Sequence, residues 1–169
     1  YSARLAAALG LPFSFADFFG TSAEHGPLIA ELYKRLFRPS EYLAEPKFNV
    51  ALQAICADTT EKAEFMGSSR DISLINSLRG IHEPMVSPEE ASLIKLSPVE
   101  LQHLEQVNKS SIRGSPDTVR DQILEAARVY QTTDVSIVTN CYYFEDRLRS
   151  FELIAQAFDL PENPITVVK

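Results

Sequence analysis

The chain has 169 residues with a formal net charge of −7, enough for one domain with a sizeable core but short of the roughly 250 residues of a complete β/α barrel. The acidic balance and the lack of clustered Lys and Arg exclude a partner recognised through nucleic-acid phosphates. No apolar run approaches the roughly 20 residues needed to cross a bilayer, and the start lacks the basic and apolar stretches of a signal peptide, so a soluble cytoplasmic protein with no membrane partner is expected.

Residues 3–9 have unbroken helix propensity, and Gly10 followed by Pro12 predicts where that helix ends. With only Tyr1 and Ser2 ahead of it, the chain reads as opening on a crossover helix in mid-fold. Residues 13–16 predict a strand. Pro27 opens a second helix, with Ile29, Leu32, Leu36 and Phe37 as its apolar stripe and Pro39 as its stop. Residues 48–57 are almost continuously apolar, the pattern of a parallel strand covered on both faces. The run Asp58, Thr59, Thr60 then caps a helix starting at Glu61.

Residues 80–109 mix Pro84, Pro88 and Pro98 with short helical pieces. Ser87 and Ser97 each precede a Pro and stand three residues before a Glu, which predicts two capped helix starts inside an excursion from the core. Order returns with a helix from Ser115 to Arg128, a strand over 134–138 and a last helix over 144–158. Leu148, Phe151, Leu153, Ile154, Ala157 and Phe158 supply the apolar face of that helix. The tail 161–169 reads as a surface strand or loose end. Alternation of this kind predicts an α/β fold of about three parallel strands joined by right-handed crossovers, in one partial domain over 1–169. Three strands leave unpaired edges and uncovered apolar surface, so a companion is expected.

Side-chain chemistry is sparse. Cys56 and Cys141 lack a C-x-x-C arrangement and are expected as two buried thiols. His25, His82 and His103 have no partners at metal-site spacing, and no metal is expected. Gly114-Ser115-Pro116-Asp117 lacks the Lys and glycines of a phosphate loop and reads as a capped helix start. The pairs Ser68/Ser69, Glu89/Glu90 and Arg147/Arg149 read as solvated faces. No serine-hydrolase elbow or dinucleotide fingerprint is present. Thr139 and Asn140, which follow the last strand, read most simply as satisfying loop backbone groups.

Five segments taken in order resemble the bacterial luciferase-like flavin-dependent monooxygenases: residues 1–16, Tyr33 to Ser40, Ala57 to Ala63, Ile112 to Val119, and Arg147 to Ala155. The resemblance spans nearly the whole chain and is weakest over 74–106. It implies the carboxyl-terminal part of an eight-stranded (β/α)8 TIM-type barrel, from about the fifth crossover helix to the last helix. It also implies a reduced flavin, FMN or in some branches a deazaflavin, at the carboxyl ends of the strands, and a small organic substrate.

The resemblance places the flavin phosphate at the loop and helix start holding Ser2, where helix N–H groups favour anions; the plain alternative is a helix cap. It presents the strand end at Ala16 and Asp17 to the flavin ring, against the alternative that Asp17 caps a turn towards Gly20 with Phe18 and Phe19 in the core. No catalytic residue is assigned. The excursion over 80–109 is expected to be a lid or a packing arm. The partner is an amino-terminal half-barrel or another copy of the chain, and the chain alone is expected to be inactive. A non-catalytic assembly scaffold derived from the family is the alternative function.

Overall fold

The computed structural model describes residues 1–19 and 25–161; the expected tail strand and the turn at Gly20 lie outside the described residues. Seven helices and four strands are described: α1 (Ser2–Leu9), β1 (Phe13–Ala16), α2 (Gly26–Leu36), β2 (Phe48–Cys56), α3 (Thr60–Leu78), α4 (Pro88–Leu93), α5 (Pro98–Val107), β3 (Ser111–Gly114), α6 (Pro116–Tyr130), β4 (Asp134–Val138) and α7 (Phe144–Ala157). All strand pairs are parallel and all run through β2.

Register fixes the arrangement. Asn49, Val50 and Ala51 have partners in both β1 and β4, so these two strands lie on opposite edges of β2. Gln53 has partners in both β3 and β4, so β3 follows β1 along the same edge. The three expected strands thus form a continuous β1-β2-β4 sheet, and β3 is an unpredicted fourth. Its sequence, Ser111-Ile-Arg-Gly114, carries almost no strand signal; the ladder to β2 and the ion pairs of Arg113 hold it in place.

Local chemistry sets the element ends. Gly10 adopts φ 64 at the carboxyl cap of α1, and a Cβ there would fall 2.6 Å from the Arg38 carbonyl oxygen, so both conformation and space require glycine. Thr59 Oγ1 accepts from the Lys62 N–H at the start of α3. Ser87 and Ser97 both form complete capping boxes with Glu90 and Glu100, as their spacing predicts.

One face of the sheet carries Phe13, Phe15, Phe48, Val50, Val135 and Ile137 and is covered by α1, α2, α6 and α7. Tyr33 of α2 is 0% exposed there. Its ring lies 5.5 Å from Phe13, and its hydroxyl donates to the carbonyls of Leu11 at 2.8 Å and Lys47 at 3.1 Å. The buried stripe of α2 therefore runs through Gly26, Ala30 and Tyr33, while Leu36, expected on it, is exposed. Tyr33 wins because it buries an aromatic ring and still satisfies its hydroxyl.

The opposite face is open along its lower half. Ser14, Ala16, Asp134 and Ser136 are exposed and Asn49 and Ala51 half-buried. Asn49 ties the three strands together here, accepting from Ser14 Oγ at 2.8 Å and donating to Asp134 Oδ1 at 2.8 Å. The expectation that β2 is covered on both faces therefore holds only near its carboxyl end, where Ala63 and Met66 of α3 pack on Ile55. The lateral flanks are also unfinished. On α7, Phe144, Leu148 and Phe151 are exposed and the buried positions are Ser150, Leu153 and Ile154. On α1, Leu5 and Leu9 are exposed.

Three smaller expectations change. Ser69 is fully buried, not solvated, because α3 is flanked by β3, α4 and α5. Cys141 is half-buried while Cys56 is buried, and both are free. Phe19 is exposed, outside the core. No helix among the described residues is long and apolar enough to cross a membrane.

Candidate functional site at the carboxyl ends of the strands

In a parallel β/α fold the loops after the strands form the functional end, because they carry side chains freed from strand pairing. Here those loops bound a cavity of about 390 Å³. Phe18 and Phe19 enter from the turn after β1, Val138 and Asn140 from the end of β4, Arg70, Ser73 and Ser77 from α3, and Met85 from the excursion. A larger cavity of about 770 Å³ lies at the opposite end, among Lys34, Lys47, Thr132 and Asp134. It faces the amino ends of β2 and β4, where stability contacts rather than reaction chemistry are found in barrels.

The walls are mostly neutral. Phe18 and Phe19 have ring centroids 4.5 Å apart. Asn140 donates to Gln53 Oε1 at 3.3 Å, and Thr139 donates to the Ala54 carbonyl at 2.8 Å. Gln53 is 1% exposed, and its Nε2 has no acceptor among the described residues. It points to the same face as Asn49 and Ala51, four and two residues below it. An orphaned buried donor of this kind beside a cavity is a common mark of a ligand's position.

Behind the cavity lies a charged cluster. Arg113 of β3 donates to both oxygens of Asp71, at 2.9 and 2.6 Å, and to Glu64 at 3.3 Å. Its guanidinium lies against Gly67, where a Cβ would come within 2.6 Å of Cζ. Burial pushes the Arg113 pKa down, but Asp71 and Glu64 more than offset this and hold it above its ordinary value. Arg70 shares Asn108 Oδ1 with Arg113 and donates to the Phe18 carbonyl at 3.1 Å. The cluster thereby ties α3 and the end of the excursion to the turn that carries the phenylalanines.

The three residues singled out in the sequence occupy different positions. Ser2 is exposed in the first turn of α1. Because α1 leads into the amino end of β1, its start faces the end of the sheet where the strands finish. Ala16 is the last residue of β1, exposed on the open face beside Ala51. Asp17 turns the other way: it is buried, and its Oδ2 accepts from the Tyr130 hydroxyl of α6 at 2.7 Å. Burial raises its pKa against the lowering effect of that bond, and burial together with Asp17 raises that of Tyr130. No described hydrogen bond joins Ser2, Ala16 and Asp17 to one another.

Arg70, Gln53, Arg113 and Met85 escaped the sequence reading. A usable signal existed for one face of α3: Met66, Arg70, Ser73 and Ser77 recur at helical spacing and form a mixed, weakly apolar stripe. Among the described residues no group of three or more His, Cys, Asp or Glu could hold a metal.

No protein-family model matches the chain. The uncharacterized protein YwcH of Bacillus subtilis is 35% identical over 158 residues, covering 93% of this chain and 47% of the relative. A luciferase-like monooxygenase of Escherichia coli is 32% identical over 163 residues, covering 96% and 47%. The solved structure of apo-MsnO8 matches with TM-score 0.84 and 25% identity, covering 96% of this chain and 49% of its own.

Two more distant structures share the fold. One is the oxygenating constituent of 3,6-diketocamphane monooxygenase from Pseudomonas putida in complex with FMN, with TM-score 0.54, 18% identity and coverage of 96% and 47%. The other is the coenzyme F420-dependent tetrahydromethanopterin reductase of Methanopyrus kandleri, with TM-score 0.53, 18% identity and coverage of 92% and 46%. Sequence and fold together place this chain among the luciferase-like monooxygenases, and it spans about half the length of the curated relatives it matches.

Proposed function

We propose that this chain supplies the carboxyl-terminal half of the barrel of a luciferase-like flavin-dependent oxidoreductase, a monooxygenase using reduced flavin and oxygen, and that it is inactive without the amino-terminal half. The observation that carries this reading is the one-sided sheet, with its covered outer face and its small and polar inner face, together with the half-length match to full-sized relatives. A barrel interior is filled by side chains from all its strands; here only one wall is present.

The residues at the carboxyl ends fit a flavin. Ala16 and Ala51 leave room for a flat ring to approach the sheet, the Gln53 amide offers an unpaired donor to a ring carbonyl, and Phe18 and Met85 supply apolar contact. Ser2, with the amino-terminal turn of α1, would hold the phosphate. Asp17 would serve through the backbone position it fixes, since its carboxylate is engaged by Tyr130. Bound reduced flavin supplies the electrons for the oxygen chemistry, and the chain's residues orient it. The excursion over 80–109, through Met85, acts as a lid that limits water entry.

FMN and F420 are both compatible with the related structures, and FMN is the proposed cofactor. The test is a fluorescence titration with FMN and with F420, using this chain alone and mixed with the amino-terminal half of a full-length relative such as YwcH. The expected result is weak binding by the chain alone, tight FMN binding by the mixture, and, after photoreduction of the FMN, reoxidation by oxygen at the free-flavin rate with the chain alone and at a changed rate only in the mixture. Unchanged flavin fluorescence in both samples would remove the flavin reading. A reoxidation rate changed equally by the chain alone and by the mixture would remove the half-barrel reading.

A further inference from the structure

Arg70 is 6% exposed and forms part of the wall of the carboxyl-end cavity. Of the five N–H groups of a guanidinium, one on each terminal nitrogen has a described acceptor: Asn108 Oδ1 at 3.2 Å and the Phe18 carbonyl at 3.1 Å. Both acceptors are neutral. Among the described residues no carboxylate forms an ion pair with Arg70. The adjacent Asp71 is turned to Arg113, at 2.6 Å, and Glu64 also goes to Arg113, at 3.3 Å.

Arg113 places a second cation beside Arg70, on the same Asn108 oxygen. Burial and then the charge of Arg113 act against charged Arg70, and the neighbouring Asp71 offsets them only in part; a guanidinium does not release its proton in proteins. A buried cation with no ion-pair partner of its own is stabilised when an anion is supplied. The cavity has room for one, and its wall carries the apolar Leu74, Met85 and Val138 as well as Ser73, Ser77 and Asn140.

We propose that Arg70 binds the anionic group of a ligand in this cavity, a small organic molecule with an oxyanion head (phosphate, sulfonate or carboxylate) and an apolar body. The head lies at the free N–H groups of Arg70, and the body lies against Leu74, Met85 and Val138. The anion is either the acid group of the substrate or the phosphate of the cofactor, and in the second case the phosphate lies at Arg70 in place of Ser2. The inference stands on the cavity and on a guanidinium with no ion pair among the described residues, so it does not depend on flavin binding.

The test follows the Nε–H resonance of Arg70 by NMR in the full chain, assigned by its loss in Arg70→Lys. Sodium phosphate, octanesulfonate, FMN and riboflavin are added at constant ionic strength, with chloride as reference. The expected result is a saturable shift reached at about tenfold lower concentration than any effect of chloride. A response to FMN but not to riboflavin assigns the anion to the cofactor phosphate. A response to octanesulfonate about tenfold stronger than to phosphate assigns it to an acid with an apolar tail. If no oxyanion moves the resonance, or chloride moves it equally, the proposal is overturned. Through-bond correlation in the wild-type chain gives the same assignment, so a folding defect in the variant does not affect the outcome, and a failure of FMN alone leaves the octanesulfonate arm to decide.

Discussion

The two faces of the β1-β2-β4 sheet are built from alternate residues of the same strands, yet they differ in every physical respect. Phe13, Phe15, Val50 and Val135 point into an aromatic and aliphatic layer with Tyr33 and Tyr130, while Ser14, Ala16, Asn49 and Ser136 point to an uncovered surface. The difference separates a face that carries a core made of this chain's own residues from a face that they leave uncovered. The covered face carries the burial that drives folding. The open face is polar and small enough to face water, and its Ser14-Asn49-Asp134 bonds keep the three strands in register without a core above them.

The largest expected effect is on the covered face. Tyr33→Ala removes a fully buried ring and two hydroxyl bonds and should destabilise the chain by about 3–5 kcal/mol in urea unfolding. A loss under about 1 kcal/mol would mean that the covered layer is not the core. Gly67→Ala pushes a methyl group into the Arg113 guanidinium and should cost about 1–3 kcal/mol. It should also loosen β3, read as faster amide exchange at Ile112 and Arg113.

Asp17 gives a smaller effect with a defined sign. Its folded-state pKa is raised above 3.8 by burial, against the lowering effect of the Tyr130 bond. The folded chain therefore keeps a proton that the unfolded chain has released. The contribution is fully present below pH 3.8 and is lost as pH rises through the raised value. Asp17→Asn keeps an acceptor for Tyr130 and removes the titration, so the fall in stability over that window should flatten; an unchanged slope would assign it to other groups. Smallest of all, Ser136→Ala on the open face should change stability by no more than about 0.5 kcal/mol, checked in the same urea series as Tyr33→Ala. A loss as large as that of Tyr33→Ala would erase the contrast between the faces.

Elements whose cause is local were legible in the sequence. The two capping boxes at Ser87 and Ser97, the glycine stop at Gly10 and the apolar strand at β2 each follow from residues close together in the chain. What escaped depends on distant partners. β3 exists because β2 extends beyond the end of β1 and leaves an edge to pair, which no property of Ser111 to Gly114 announces.

Leu36 and Tyr33 compete for the same helix face, and the winner is set by the carbonyls of Leu11 and Lys47. The end of β1 at Ala16, with Asp17 just beyond it, was legible in the sequence. The opposite directions of those two side chains follow from strand alternation, and Tyr130, the partner that takes up the Asp17 carboxylate, lies 113 residues away. Arg70 was hidden because its meaning depends on Asp71 turning to Arg113 instead.

The central claim, a sheet with one face covered and the other left open by the chain's own residues, is tested most directly by thiol accessibility. Single cysteines at Ser14, Ser136 and Val50, placed in a background with Cys141→Ser, would be labelled with a maleimide at low protein concentration. The account predicts that the Ser14→Cys and Ser136→Cys chains react at rates near that of a free thiol, with Val50→Cys at least about a hundredfold slower, limited by opening of the core. Equal protection of Ser136→Cys and Val50→Cys would show both faces covered within the chain and would contradict it.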